Sequence, residues 1–129
     1  MIIGIGADLL DSRRIQSAIE RLGERFLSKI YTPQERQFCE SRKVKALAAY
    51  STTFAAKEAV LKAISFTEGV RWHDIEVVRM PNGQPTVQLH GAALQNCIKR
   101  ASPHNFVIHL TLTDESPYAQ ALAILEGAD

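Results

Sequence analysis

A carboxylate falls on the apolar side of a predicted helix in the run Phe-Ala-Ala-Lys-Glu-Ala-Val-Leu-Lys-Ala, residues 54 to 63. At 3.6 residues per turn, Glu58 projects within about 40° of Phe54, on the stripe that should face the core. Burying this carboxylate without a partner is costly, so it needs a cation, a basic side chain or a proton. Lys62, one turn later, supplies part of that charge, either as an ordinary Glu–Lys helix pair or as part of a site.

The N-terminal segment offers a second carboxylate. Residues 1 to 8 alternate as a strand does, and one of its faces carries Gly4, Gly6 and Asp8. Glycine inside a strand weakens the strand and often marks the close approach of a ligand or of another backbone. We therefore expect something to pack against this face, beside the carboxylate at its end.

Two carboxylates with few soft ligands around them favour magnesium, which takes one or two protein carboxylates, keeps several waters and often binds substrate phosphate. We predict Asp8 and Glu58 as the metal ligands, and Asp8, Glu58 and Lys62 together as a catalytic site that handles phosphate. The Gly-Ile-Gly sequence is neither a Rossmann nor a Walker motif, because no third glycine and no Gly-Lys-Ser/Thr follows it.

Several motifs, in order and covering nearly the whole chain, resemble holo-acyl-carrier-protein synthases, the small type of 4′-phosphopantetheinyl transferase. They are Gly4-Ile5-Gly6-Ala7-Asp8, Arg14-Ile15, Thr32 with Glu35, Phe54-Ala55-Ala56-Lys57-Glu58, Lys62-Ala63, Trp72-His73-Asp74-Ile75-Glu76-Val77, Gly83-Gln84-Pro85 and Tyr118-Ala119-Gln120-Ala121. The Lys-Glu-Ala-x-x-Lys-Ala run, with a strand-end Asp some fifty residues earlier, is the most specific of these.

The resemblance implies transfer of 4′-phosphopantetheine from coenzyme A to a serine of an apo acyl carrier protein, with release of adenosine 3′,5′-bisphosphate. It also implies a magnesium-dependent homotrimer with sites between subunits. Lys62, Lys43 and Lys45 are expected to contact coenzyme A. For the general base, a metal-bound water is favoured over Glu58 and Lys57. The alternative is an impaired relative that binds a carrier as a scaffold.

The chain departs from the family pattern at two places near the predicted site. Ser65-Phe66-Thr67 follow Ile64 where family members usually carry Gly-Thr-Gly, and the loop that leads to Trp72 is shorter. Thr53 stands where many members have a basic residue. Fewer loop amides and one cation fewer should weaken the hold on the phosphates of coenzyme A.

Length and composition favour one domain. The chain has 129 residues, of which 46% are hydrophobic and 22% charged, so residues 1 to 129 are predicted to form a single globular transferase domain. No signal peptide and no apolar run near the roughly 20 residues of a membrane span are visible, so we expect a cytoplasmic protein without membrane contact. Cys39 and Cys97 lack ligand-like neighbours and are interpreted as reduced thiols.

Charge is unevenly distributed, although the net charge is only +1. Residues 13 to 45 contain nine Lys or Arg against four Glu, a balance of +5. A nucleic-acid partner is disfavoured, because this basic segment has neither interleaved aromatic residues nor an RNA-binding motif. We predict instead that Arg14, Arg21 and Arg25 contact the acidic carrier protein, with a merely solvated helix face as the alternative.

Periodicity predicts an α+β fold in which an antiparallel sheet packs on a long central helix from Ala46 to Ile64. A helix capped by Asp11 or Ser12 follows the first strand, and Thr32 to Glu35 form a capping box with Pro33 at the first position. The later part of the chain predicts a hairpin of residues 72–80 and 86–89 and a helix of residues 91–100 with Leu94 and Ile98 inward. Two strands, at residues 106–113 and 118–126, are predicted to follow.

Overall fold

Five helices and five strands make up the fold in a computed structural model that describes residues 1–129. The strands are β1 (Ile2–Asp11), β2 (Ile75–Arg79), β3 (Pro85–Leu89), β4 (Asn105–Glu115) and β5 (Tyr118–Ala128). The helices are α1 (Ser12–Leu22), α2 (Glu24–Ile30), α3 (Pro33–Ser41), α4 (Ala46–Ile64) and α5 (Gly91–Ala101). Two single 3₁₀ turns, Lys43–Lys45 and Trp72–Asp74, precede α4 and β2.

The central helix α4 has the predicted bounds, Ala46 to Ile64, and is buried along most of its length. Alanines make up much of its core-facing surface, and Ala55, Ala56, Ala59 and Ala63 are all fully buried. Alanine is the strongest helix former, and its small side chain lets neighbouring backbones come close. The helix therefore serves as the element on which both the sheet and the smaller helices pack.

The larger sheet has the strand order β1-β5-β4 and is antiparallel throughout. One of its faces packs on α4, and the glycines of β1 make that contact possible. A Cβ atom added to Gly6 would lie only 1.9 Å from the carbonyl oxygen of Ala59, and one added to Gly4 only 2.0 Å from that of Ala63. The space left by the two glycines is thus filled by the backbone of α4.

The opposite face of this sheet carries apolar side chains that no other element of the chain covers. Ile5 and Leu9 of β1, Leu122 of β5 and Val107 of β4 are between 37% and 66% exposed. Register confirms that they share a face, since Ile5 pairs with Ile124 and Ala7 with Leu122. A face of this kind is typical of a surface that contacts another molecule.

Most predicted elements are confirmed, with differences at β2 and α5. Residues 72 to 74 form a 3₁₀ turn, so β2 begins at Ile75 rather than at Trp72. In α5, Ile98 is 46% exposed and not inward as predicted, because the side chains that pack are the small ones of Ala93, Cys97 and Ala101. No helix is both long enough and apolar enough to span a membrane.

The predicted helix starts are also confirmed. Asp11 caps α1, with its carboxylate accepting a hydrogen bond from the N–H of Arg13. Thr32 and Glu35 form the capping box of α3, with Pro33 in the first turn. These caps fix where α1 leaves β1 and where α3 approaches α4, and so determine what lies on each side of the central helix.

Candidate active site

The end of β1 and the C-terminal half of α4 bring three predicted site residues together. Lys62 Nζ lies 2.9 Å from the carbonyl oxygen of Ala7 and 3.4 Å from Oδ1 of Asp8. Glu58, one turn earlier on α4, lies close enough to Asp8 for the two carboxylates to repel each other. The close packing of Gly4 and Gly6 against α4 holds β1 beside the helix and so places Asp8 in this cluster.

The electrostatics of the cluster are unbalanced at Glu58. Partial burial raises the pKa of the Glu58 carboxyl, and the nearby carboxylate of Asp8 raises it further, while Lys62 and Arg14 act in the opposite direction. No hydrogen bond from the chain contributes to stabilising the charged form of Glu58. Lys62 and Arg14 therefore do not fully compensate the burial of Glu58 and its repulsion by Asp8.

The donor set fits a hard divalent cation. Carboxylate oxygens are the ligands that magnesium prefers, and magnesium needs only one or two of them when waters and phosphate complete its shell. No group of three or more His, Cys, Asp or Glu side chains that could hold a metal is present. The arrangement therefore suits magnesium better than a metal such as zinc, which needs three or four protein ligands.

A groove of about 460 Å³ lies along α1, and its lining includes Phe54, one turn before Glu58 on α4. Arg14 and Arg21 line the groove together with Phe26 and Phe54, and Arg14 is near enough to Glu58 to influence its pKa. Arg25 lies outside the groove lining, at the start of α2. Two of the three predicted carrier-binding arginines thus line one groove, and one of them, Arg14, is close enough to act on Glu58.

Lys43 and Lys45 do not approach Lys62 within one chain. They lie in the exposed 3₁₀ turn before α4, whereas Lys62 is in the last turn of that helix. At 1.5 Å per residue, the first turn of α4 is about 20 Å from Lys62 along the helix axis. Their predicted contact with coenzyme A stays a prediction, and a single chain does not bring them to the cluster.

Lys57 points to the other side of α4 and is fully buried. Its ammonium group lies 2.8 Å from Oε1 of Glu35 and donates to the carbonyl oxygens of Trp72 and Ile75, at 3.0 and 2.6 Å. These three partners use all the donors of the ammonium group. Burial lowers the pKa of Lys57, but its three partners hold its ammonium group away from the carboxylate cluster, so the geometry does not favour it as the general base.

The capping box belongs to the same buried network, which the sequence did not reveal. Glu35 also accepts hydrogen bonds from the N–H groups of Thr32 and Val77, and the Thr32 hydroxyl donates to Glu76 at 2.7 Å. Glu76 in turn lies 3.1 Å from Nε2 of His90. Strand alternation could not indicate this burial, because it places Glu76 on the face opposite the buried Ile75 and Val77.

Thr53, the position at which a basic residue is absent, is 2% exposed. Its hydroxyl faces the Sγ atom of Cys39 at 3.8 Å, and burial raises the pKa of that thiol to about 11. Both cysteines, Cys39 and Cys97, are free thiols and are buried. The side chain at position 53 thus belongs to the packing between α3 and α4 and does not reach the carboxylate cluster.

Comparison with known proteins identifies the family. The family model of the 4′-phosphopantetheinyl transferase superfamily matches residues 4–122. The chain belongs to this superfamily. A holo-[acyl-carrier-protein] synthase from Mesorhizobium japonicum is 49% identical over 130 residues, covering 98% of this chain and 94% of the relative. One from Methylorubrum extorquens strain PA1 is 46% identical, with coverages of 98% and 95%.

Solved structures of the same superfamily share the fold over its full length. Holo-ACP-synthase from Plasmodium yoelii superposes with a TM-score of 0.84 at 32% identity, covering 100% of this chain and 98% of that one. A Bacillus anthracis holo-(acyl-carrier-protein) synthase, solved in complex with CoA (3′,5′-ADP), gives a TM-score of 0.79 at 27% identity, with 99% of each chain covered. The predicted α+β transferase fold is confirmed.

Proposed function

We propose that this chain transfers the 4′-phosphopantetheine group of coenzyme A to a serine of an apo acyl carrier protein. The observation that carries the proposal is the meeting of Asp8, Glu58 and Lys62 at one point, in a chain that belongs to the phosphopantetheinyl transferase superfamily. The relatives of nearly half identity are named for this activity, and one structural neighbour binds coenzyme A. The serine oxygen attacks the phosphorus that carries pantetheine, and adenosine 3′,5′-bisphosphate leaves.

Asp8 and Glu58 are the residues that would hold magnesium. When bound there, the ion would neutralise charge on the pyrophosphate and orient the reacting phosphorus for in-line attack. Lys62 stands beside Asp8 with half of its side chain exposed, so its ammonium group can also approach a phosphate oxygen. Because Lys57 is held on the other side of α4, Glu58 and a water molecule are the acceptors that we favour for the serine proton.

The groove along α1 is the surface that we assign to the carrier protein. Arg14 and Arg21 give it positive charge, and Phe26 and Phe54 give it apolar area beside the carboxylate cluster. The opposite charges of the groove and an acidic carrier would mainly raise the rate of association, and added salt would lower that rate. Arg25, outside the groove, would contribute only to the wider positive field.

A homotrimer would account for two features that a single chain leaves unexplained. The uncovered apolar face of the β1-β5-β4 sheet would be buried between subunits. Lys43 and Lys45, distant from Lys62 in their own chain, would reach coenzyme A at the site of a neighbouring subunit. Light scattering of the wild type and of Leu9→Asp tests this assembly, because a charge on that face should dissociate it.

The location of the protein in the cytoplasm, expected from the sequence, stays a prediction.

The direct test is incubation with apo acyl carrier protein, coenzyme A and magnesium, followed by intact mass spectrometry of the carrier. We expect the carrier to gain the mass of one 4′-phosphopantetheine group, and chelation of magnesium to prevent this. A carrier that binds to the protein but keeps its mass, under conditions where an active synthase modifies it, would contradict the proposal and favour the scaffold alternative.

A further inference from the structure

The loop of residues 65–71, which follows α4, is held against α5 by one side chain. The Nδ2 atom of Asn96 donates to the carbonyl oxygens of Phe66 and Glu68, each at 3.0 Å. These two bonds use both donors of the amide group. One turn later, the guanidinium carbon of Arg100 lies 5.5 Å from the centre of the Phe66 ring, and its Nη2 atom donates to the carbonyl oxygen of Ile3. The loop therefore has a fixed orientation on α5.

This orientation determines where two backbone N–H groups point. The carbonyl and the N–H of a trans peptide point in opposite directions, and the peptides of this loop are trans. Since the carbonyls of Phe66 and Glu68 face α5, the N–H groups of Thr67 and Gly69 face away from it. Neither N–H donates a hydrogen bond within the chain. The contacts with Asn96 thus leave the backbone N–H groups of Thr67 and Gly69 as two free donors on the side of the loop that faces away from α5.

The loop leaves from the helical turn that carries Lys62. The N–H of Ser65 donates to the carbonyl of Leu61, and its hydroxyl donates to the carbonyl of Lys62, both at 3.0 Å. Ser65 itself has a φ of 68°, a left-handed conformation that usually requires glycine. The loop therefore begins three residues after Lys62, and it is attached to the backbone of the turn that carries this lysine.

We propose that Asn96 is a positioning residue for the donor substrate: it holds the loop so that the N–H groups of Thr67 and Gly69 donate to a phosphate of coenzyme A. This proposal rests on the proposed function, because that function supplies the ligand. Hydrogen bonds from backbone N–H groups to an anion are stronger than those between neutral groups, provided that the donors are already oriented. Asn96 does this without contacting the substrate.

Calorimetric titration with coenzyme A and with inorganic pyrophosphate, in the presence of magnesium, tests the proposal on four proteins: wild type, Asn96→Ala, Asn96→Asp and Gln95→Ala. Asn96→Asp replaces the Nδ2 amino group, which carries both donors, with an oxygen that repels the two carbonyls, and Gln95 is the exposed neighbour on α5. We expect Asn96→Asp to weaken coenzyme A about tenfold, consistent with the loss of one well-placed charge-assisted bond. Asn96→Ala should weaken it less, and Gln95→Ala should not change it.

Two further readouts separate positioning from a general loss of stability. The apparent KM for the carrier and the temperature of unfolding should stay at wild-type values in all variants. Hydrogen exchange at the amides of Thr67 and Gly69 should slow when pyrophosphate binds to the wild type, and should not slow in Asn96→Asp. Equal coenzyme A affinity in all four proteins would overturn the proposal, and so would a parallel loss of carrier affinity and stability.

Failure of this inference is distinguishable from failure of the proposed function. If the wild type modifies a carrier but the Asn96 variants bind coenzyme A as tightly as it does, only the role of Asn96 is wrong. If no carrier is modified yet pyrophosphate affinity depends on Asn96, the site holds phosphate as inferred and the transfer reaction is wrong. A wild type that binds neither coenzyme A nor pyrophosphate would overturn the role of Asn96 as well.

Discussion

Two adjacent residues of α4, Lys57 and Glu58, lie in opposite electrostatic environments. On one side, the Lys57 ammonium group and the Glu35 carboxylate are 0% and 1% exposed and lie 2.8 Å apart, with every further donor and acceptor satisfied by backbone or side chain. On the other side, Asp8 and Lys62 are 17% and 53% exposed at 3.4 Å, and Glu58 lacks a donor. The same residue types thus serve packing on one side of the helix and chemistry on the other.

The facing elements create the difference. Successive side chains of a helix are about 100° apart, so Lys57 and Glu58 meet different neighbours. Lys57 faces α3, which supplies a carboxylate, and the segment from Trp72 to Ile75, which supplies two backbone carbonyls. Glu58 faces the end of β1, which supplies another carboxylate. A buried charge is tolerated when its surroundings supply partners, whereas one that they leave without a partner can bind an ion or a substrate.

The largest expected effect is on the exposed side of α4. Asp8→Ala removes a predicted metal ligand, so transfer to the carrier should fall by at least about 10³-fold, because metal stabilisation of transition-state charge is worth several kcal/mol. The unfolding temperature should change little, since Asp8 is only weakly paired. Mass spectrometry of the carrier measures the rate, with Glu20→Ala, an exposed carboxylate of α1, as the control. Rapid transfer by Asp8→Ala in limiting magnesium would remove Asp8 from the site.

On the buried side of α4, a substitution should lower the stability of the fold, whereas Asp8→Ala should lower the rate of transfer. Glu35→Gln leaves the Lys57 charge buried without a counter-ion, which should cost about 3–5 kcal/mol of unfolding free energy. Urea unfolding measures this, and the double variant Glu35→Gln, Lys57→Met should recover much of the loss because it removes the orphaned charge. A Glu35→Gln protein of wild-type stability would show that the pair contributes no more than an exposed ion pair does.

A smaller effect is expected in the groove along α1. Arg14→Glu should raise the apparent KM for the carrier roughly tenfold at low salt, through a slower association rate, while leaving coenzyme A affinity unchanged. Lys29→Glu makes the same change of charge on α2, outside the groove, and should have a smaller effect. Steady-state kinetics at low and at physiological ionic strength measure both. If the two variants behave alike, the arginines act only through overall charge.

Much of this arrangement could be predicted from the sequence, because short-range patterns specify it. The bounds of α4, the caps of α1 and α3 and the paired glycines of β1 follow from helix propensity, capping chemistry and strand alternation. Asp8 and Glu58 were predictable as partners because each is a carboxylate on an otherwise apolar or glycine-lined face.

What could not be predicted depends on long-range contacts. Glu35 has a sufficient local explanation in its capping box, which hides its second role as the partner of Lys57. Ile98 was misplaced because small side chains, not the large one, make the contact surface of α5. The separation of Lys43 and Lys45 from Lys62 follows from the predicted bounds of α4, whereas the contacts between subunits that would bring these lysines together cannot be predicted from one chain.

Glu58→Gln tests the contrast between the two sides of α4 most directly, with transfer and stability measured on the same preparation. The folded-state pKa of Glu58 is raised above its ordinary value of 4.5, so the charged form costs stability at neutral pH, and that cost disappears as the pH falls below the ordinary value. We therefore expect Glu58→Gln to lose transfer and to unfold at the same or a higher temperature than the wild type at pH 7, with any gain absent near pH 4. Retained transfer, or a loss of stability at pH 7 like that expected for Glu35→Gln, would contradict the account.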